Sequence, residues 1–114
     1  MAVIGTTVFY LDGNAYYSPE FGRGGLAATF SVDLTQLVLG GATSFLIGIE
    51  SRNADDTTWT ASGAFGSFSS VGADQVDLTG LKEIVRFKYS FAGGTPAASD
   101  AAHFLMMAPS WRPY

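Results

Sequence analysis

Residue types that most catalytic and metal-binding sites need are scarce in this chain of 114 residues. It has no cysteine, which excludes disulfides and thiolate metal sites. Its single histidine, His103, excludes a metal site built from several histidines of one chain. We therefore expect the chain to act through its surfaces rather than through a metal centre.

Charge is also sparse, and its sign disfavours a nucleic-acid partner. Charged residues make up 14% of the chain, and six Lys and Arg stand against ten Asp and Glu, for a formal net charge of −4. A surface that neutralises phosphates needs clustered cations, so we expect no nucleic acid among the partners. Hydrophobic residues at 47% and aromatic residues at 14% are typical of a folded chain. The length fits a single domain, which we place over residues 1–114.

Long apolar runs are missing as well. A membrane-spanning helix needs roughly 20 consecutive apolar residues, whereas the longest apolar run near a terminus covers only residues 104–109. Residues 1–11 contain no Lys or Arg, and Gly5, Thr6 and Thr7 interrupt them, so they do not resemble a secretory signal. We expect a chain that is made in a cytoplasm, binds no membrane and stays soluble unless it leaves inside an assembly.

Apolar and polar residues alternate with period two in the longest patterned segments. The alternation is strict in residues 30–34, and it recurs in residues 45–50 and 85–91. Such alternation is typical of antiparallel strands with one buried face. We predict strands over 3–10, 27–34, 44–51, 57–61, 64–70, 74–78, 84–91 and 102–108. Short turn segments separate them, which indicates an all-β fold: a two-sheet antiparallel sandwich of jelly-roll or Greek-key type.

Glycine doublets and inward-facing residues complete this fold prediction. The doublets Gly24-Gly25, Gly40-Gly41 and Gly93-Gly94 lie between apolar runs, and we expect them to supply positive φ in turns. One helical turn near residues 79–83 is compatible with the pattern. The predicted core consists of Phe30, Val32, Leu34, Phe45, Ile47, Ile49, Trp59, Val85, Phe87, Tyr89 and Phe91.

The last predicted strand, 102–108, is apolar on both faces. One face carries Ala102, Phe104, Met106 and Ala108, and the other carries Ala101, His103, Leu105 and Met107. A strand in a small sandwich normally exposes one face to water. We therefore expect the second face to be covered, either by a loop of the same chain or by another subunit.

No pattern of residues predicts catalysis. His103 lies in an apolar strand with no G-x-S-x-G segment near it, so we interpret it as a structural histidine at a sheet face or a subunit contact. Asp55 and Asp56 are adjacent in a tight turn and do not oppose each other across a cleft as glycosidase carboxylates do. That turn also lacks the spacing of a calcium loop, so we expect the Asn53 and Asp side chains to bond the backbone. The glycine-rich segment 21–25 lacks the phosphate-loop pattern, and we interpret it as a mobile surface loop. We predict a non-enzyme without metal or cofactor.

Aromatic residues exceed what one small core requires. The surplus consists of Tyr10, Tyr16, Tyr17, Phe21, Trp59, Trp111 and Tyr114. Trp59 alternates with threonines, so we expect it to point inward. Residues 109–114 form a proline-stiffened tail that we expect to dock as an extended arm on a neighbouring subunit, or else to fold back on its own sandwich. The segment 16–21 offers an apolar counterpart for such an arm.

Four features between residues 44 and 112 resemble small virion proteins of tailed bacteriophages. Residues 47–59 have the pattern of a strand followed by N/S-x-D-D/G-x-T-W, here Asn53-Ala54-Asp55-Asp56-Thr57-Thr58-Trp59. Residues 77–81 lead into a second strand at 85–89, residues 93–97 make a turn, and an apolar strand at 103–108 closes the domain. The chain is similar to capsid decoration, or cement, proteins of β-sandwich type.

This resemblance implies a structural role on the outside of a phage head, where the protein staples neighbouring capsomers. It implies two partners, the major capsid protein and further copies of the chain itself, as a homotrimer. We expect the subunit or capsid interface to use Tyr16, Tyr17, Phe21, His103, Leu105, Met107, Trp111, Arg112 and Tyr114. Two alternatives remain: a carbohydrate-binding module, which presents aromatic rings as a platform, and a head–tail or tail protein of the same particle.

Overall fold

The computed structural model describes residues 3–9, 16–97, 99–107 and 109–113, and these form ten β-strands. The strands are β1 (Val3–Phe9), β2 (Tyr16–Tyr17), β3 (Phe21–Gly22), β4 (Ala27–Val38), β5 (Ser44–Arg52), β6 (Thr60–Ala64), β7 (Gly72–Leu78), β8 (Ile84–Ala92), β9 (Ala101–Met107) and β10 (Ser110–Arg112). The described residues contain no helix, and hence no helix that could cross a membrane.

Two antiparallel sheets pack together. In sheet A the order is β1-β9-β4-β7, and β10 continues β9 along the same edge of β4. In sheet B the order is β2/β3-β8-β5-β6, with β2 and β3 in line along one edge of β8. The pairs are nested, because β1 pairs with β9, β2 and β3 with β8, β4 with β7, and β5 with β6. A long hairpin rolled up in this way is a jelly roll, so the predicted two-sheet sandwich is confirmed.

The core is built from alternate residues of the strands, as the period-two pattern predicts. β5 and β8 bury every second residue along their length. Every predicted core residue except Trp59 is buried. In β9, Ala102, Phe104 and Met106 face the core, so its second apolar face is the outer face of sheet A.

Strand boundaries depart from the prediction mainly around β6. The two strands predicted at 57–61 and 64–70 are replaced by the single strand Thr60–Ala64, after which Phe68 makes only an isolated bridge with Phe45. The helical turn allowed at residues 79–83 is wrong. The segment is an irregular connection in which Leu81 is buried. The Leu81 amide donates to the Leu26 carbonyl over 2.9 Å and so holds the segment in place. β2, β3 and β10 were not predicted.

The glycine doublets serve two different purposes. Gly93 and Gly94 have φ angles of 74° and 58°, as expected for a turn. Gly24 and Gly25 instead allow close approach, since a Cβ on Gly24 would lie 2.6 Å from the Trp111 ring and one on Gly25 would collide with the Arg112 carbonyl. Residues 21–25, interpreted from the sequence as a surface loop, therefore include strand β3 and pack against β10.

Asp100 links the connection between β4 and β5 to the connection between β8 and β9. It is fully buried, and its Oδ1 accepts hydrogen bonds from the amides of Gly40 and Gly41 over 2.5 and 3.0 Å. Its Oδ2 accepts from the amides of Ala97 and Ala42 over 2.7 and 3.2 Å. Burial alone raises the pKa of Asp100, but these amide hydrogen bonds outweigh it and hold the pKa below its usual value.

Candidate interaction surface

An open groove lies along one edge of the sandwich, between β1 and β9 of sheet A and β2 and β3 of sheet B. This edge groove has a volume of about 440 Å³. Its lining includes Thr6, Tyr17, Phe21, Tyr89, Met106 and Met107. Among the lining residues only Glu20 is charged, so the groove presents an apolar and aromatic surface. Exposed apolar concavities of this kind are typical of interaction sites.

The rim of the edge groove is fixed through Ser18, in the turn between β2 and β3. The Ser18 amide donates to the Phe87 carbonyl over 3.0 Å, and the Phe87 amide donates to Ser18 Oγ over 2.8 Å. The Phe21 ring packs on Phe87 with a centroid distance of 5.5 Å. Burial raises the pKa of Tyr89 to about 12, although a hydrogen bond with Ser18 lowers it in part, so the phenol stays neutral over the physiological range. Hydrogen bonds within the chain thus anchor the turn to β8.

Three of the predicted interface residues meet at the edge groove. Tyr17 is 48% exposed and Met107 is 36% exposed, and both line the groove together with the half-buried Phe21. Tyr16, the other residue of β2, packs against the core. The structure therefore brings together side chains that lie far apart in the sequence.

Trp111 and Arg112 lie in β10, paired with β4 of their own chain. The Trp111 ring is 6.4 Å from that of Phe21 and 6.1 Å from that of Phe30, measured between centroids. Arg112 Nη1 donates to Thr29 Oγ1 over 2.7 Å. The structure places this part of the tail in the fold-back arrangement, and Tyr114 lies outside the described residues.

His103 and Leu105 lie on the outer face of sheet A. The His103 Nδ1 atom shares a 2.8 Å hydrogen bond with Thr7 Oγ1 on the neighbouring β1. Thr35 Oγ1 donates to the His103 carbonyl over 3.1 Å. These contacts place His103 at a sheet face, tied to both neighbouring strands.

On the outer face of sheet B, Arg86 lies between two aromatic rings. Its Cζ atom is 3.8 Å from the Tyr17 centroid and 4.1 Å from the Trp59 centroid, and its Nε donates to Glu50 Oε1 over 2.9 Å. The Arg52 guanidinium also lies over the Trp59 ring, at 5.1 Å. The prediction that Trp59 points inward is wrong, because its ring packs on guanidinium groups outside the sheet.

The turn between β5 and β6 is closed by its own polar groups. The Asn53 amide donates to Asp56 Oδ2 over 2.8 Å, and the Asp56 amide donates back to the Asn53 carbonyl over 3.0 Å. Lys82 Nζ lies 3.7 Å from the same carboxylate. Across the described ranges, no group of three or more metal-ligating side chains is placed to hold a metal ion.

Comparison with known proteins identifies no relative. No family model, no curated protein and no solved structure matches this chain. The features of the chain that bear on its function are the jelly roll, the edge groove and the residues that border it.

Proposed function

We propose that this chain is a structural virion protein that decorates the outside of a phage-like head, where it binds the major capsid protein and further copies of itself. The observation that carries the proposal is the edge groove, an exposed apolar surface on a jelly roll. Tyr17, Phe21 and Met107, all expected at the interface from the sequence, line this one groove.

The fold supports this role by analogy. Jelly rolls are frequent among viral capsid domains, and they also occur in lectins. A fold alone does not define a function, so the residues have to separate these two classes.

The side chains that could act as acids or bases in catalysis form hydrogen bonds within the fold instead. Asp100 accepts backbone hydrogen bonds, Glu50 pairs with Arg86, and His103 bonds Thr7 across a strand pair. A protein that cements a shell needs contact surface rather than a reaction centre. This arrangement favours a binding role over catalysis.

The aromatic residues do not favour the carbohydrate-binding alternative. A sugar platform needs open ring faces, whereas Trp111 packs against the core and the Trp59 ring lies under Arg86 and Arg52. Titration of the isolated protein with an oligosaccharide panel is expected to show no binding. Saturable sugar binding would instead favour the lectin class.

The direct test uses particles produced from the genome that encodes the chain. We expect the protein in purified heads at a copy number comparable with the major capsid protein, and we expect heads made without it to break at lower temperature. A few copies confined to one vertex would assign it to the head–tail or tail machinery. Absence from the particles would overturn the proposal.

A further inference from the structure

The four lateral edges of the two sheets differ in how they are protected against pairing with another chain. Natural sheets protect edges with charges, prolines, bulges or very short strands. The edge strand β7 carries Asp74 and Asp77, and β6 has five residues and a register shift opposite Ile49 and Glu50. The β2/β3 edge consists of two-residue pieces interrupted by a turn that contains Pro19.

β1 has none of these protections. Its seven residues, VIGTTVF, include no charge and no proline, and its register with β9 is continuous. It pairs with β9 on one side, and no other described residue pairs with the backbone donors and acceptors on its other side. Its β-branched residues have high strand propensity. Such an edge is a template for an added strand.

The edge groove lies along this same unprotected edge. Thr6 of β1 contributes to its lining, together with Met106 and Met107 of the neighbouring β9. A strand added to β1 would therefore cover apolar surface in addition to forming backbone hydrogen bonds. Backbone pairing and apolar burial then act on one site. The β2/β3 edge borders the same groove, but its two-residue strands and Pro19 leave little backbone to pair.

We propose that the strand that pairs with β1 is β1 of a second copy, antiparallel and related by a two-fold axis. The strand is uncharged, so two copies meet without like-charge repulsion, and a two-fold axis satisfies both edges with the same contact. When all seven residues pair, Thr6 lies opposite Thr6 of the second copy, and Thr–Thr pairs are favourable across antiparallel strands. Sheet A of one copy and sheet A of the other then form one continuous sheet.

This arrangement also accounts for the position of the edge groove. The two-fold axis is perpendicular to the joined sheet. The two edge grooves therefore face each other across the axis, and the contact between the copies covers both. The unit is a dimer, in contrast to the trimer that the sequence resemblance implies. The inference does not rest on the proposed function, because it concerns the purified chain alone.

A cysteine cross-link tests the contact directly, because the chain has no cysteine of its own. Directly opposed residues have Cα atoms about 4.5–5.5 Å apart, inside the disulfide range of about 4.4–6.8 Å. Thr6→Cys is expected to give a covalent dimer under mild oxidation. Ala73→Cys, on the opposite edge of the same sheet, is the matched control and is expected to form no disulfide-linked dimer under the same conditions.

A charge variant tests the same contact without a covalent bond. A Cβ on Gly5 would meet only ordinary van der Waals contacts, the nearest being Leu105 at 3.5 Å, so Gly5→Lys leaves the fold intact. Sedimentation velocity should show a concentration-dependent dimer for the unmodified chain. Gly5→Lys should raise its dissociation constant by about tenfold, an effect that about 1 M salt reduces. Ala73→Lys should leave it unchanged.

Three results would overturn the inference. The first is an unmodified chain that stays monomeric or forms a trimer at the highest soluble concentration. The second is a dimer that Ala73→Lys weakens as much as Gly5→Lys does. The third is a Thr6→Cys variant that is folded by circular dichroism but cross-links no better than Ala73→Cys.

Discussion

The indole ring of Trp111 lies directly against the backbone of Gly24, so closely that a Cβ at residue 24 would come within 2.6 Å of ring atoms. Trp111 also packs near Phe21 of sheet B and Phe30 of sheet A. Together these contacts fix the position of β10. Gly24 is therefore required by packing rather than by a turn.

Replacing Gly24 by alanine should displace the Trp111 ring and destabilise the fold by about 1–3 kcal/mol, as overpacking does elsewhere. Urea unfolding monitored by circular dichroism measures the effect. Gly22→Ala is the matched control, because a Cβ on Gly22 would meet nothing within 4 Å. Equal stabilities of the two variants would contradict the close contact.

Truncation after Pro109 should lower stability without changing the association state. It removes the strand that pairs with Ala27, Ala28 and Thr29, together with the Trp111 ring, at a cost of about 3 kcal/mol. Thermal unfolding and light scattering at matched concentrations measure the two effects. Loss of association with unchanged stability would show that the tail docks on a neighbouring subunit instead.

Replacing Arg86 by methionine should cost about 2 kcal/mol, because it leaves the Glu50 carboxylate without its cationic partner and removes two ring contacts. The Arg86 and Glu50 side chains are only 18% and 16% exposed, so water compensates poorly. In a Trp111→Phe background, the Trp59 fluorescence should shift to the red. Lys88→Met, on the same face of β8, should change neither property.

Asp100 should make the free energy of unfolding depend on pH in the acidic range. Because the folded-state pKa of Asp100 is lowered, its contribution is present above the unfolded-state pKa of about 3.9 and is lost as the pH falls through the folded-state value. Asp100→Asn should destabilise the fold at pH 7 by about 2 kcal/mol and flatten the loss of stability on acidification. Asp33→Asn, on the outer face of β4, is the surface control and should change the free energy of unfolding at pH 7 much less than Asp100→Asn does.

The sequence predicts the long strands well because their alternation survives in the folded state. Phe45, Ile47 and Ile49 are buried as expected, since each strand of a two-sheet fold turns one face to the core. The short strands β2, β3 and β10 escape prediction, because two or three residues carry no period. Their pairing is set by β8 and β4, which the local sequence does not encode.

The interaction surface could be predicted only in part. Tyr17 and Phe21 stood out as surplus aromatic residues, and Met107 as part of the second apolar face of the last strand. Their convergence on one groove depends on the order of strands in both sheets. The position of Trp59 could not be derived from its neighbours, because its partner Arg86 lies on another strand. The exposed edge of β1 likewise follows from topology, since nothing in its composition distinguishes an edge strand from a central one.

The nested pairing of the strands constrains how the chain can fold during synthesis. β1 is made first, yet its partner within the chain, β9, is made near the end. Sheet A therefore cannot close until residues 101–107 have left the ribosome, and loop closure over nearly the whole chain makes this step slow. Until then the uncharged β1 has no partner in its own chain, so we expect pairing between nascent chains at this strand to compete with closure of sheet A.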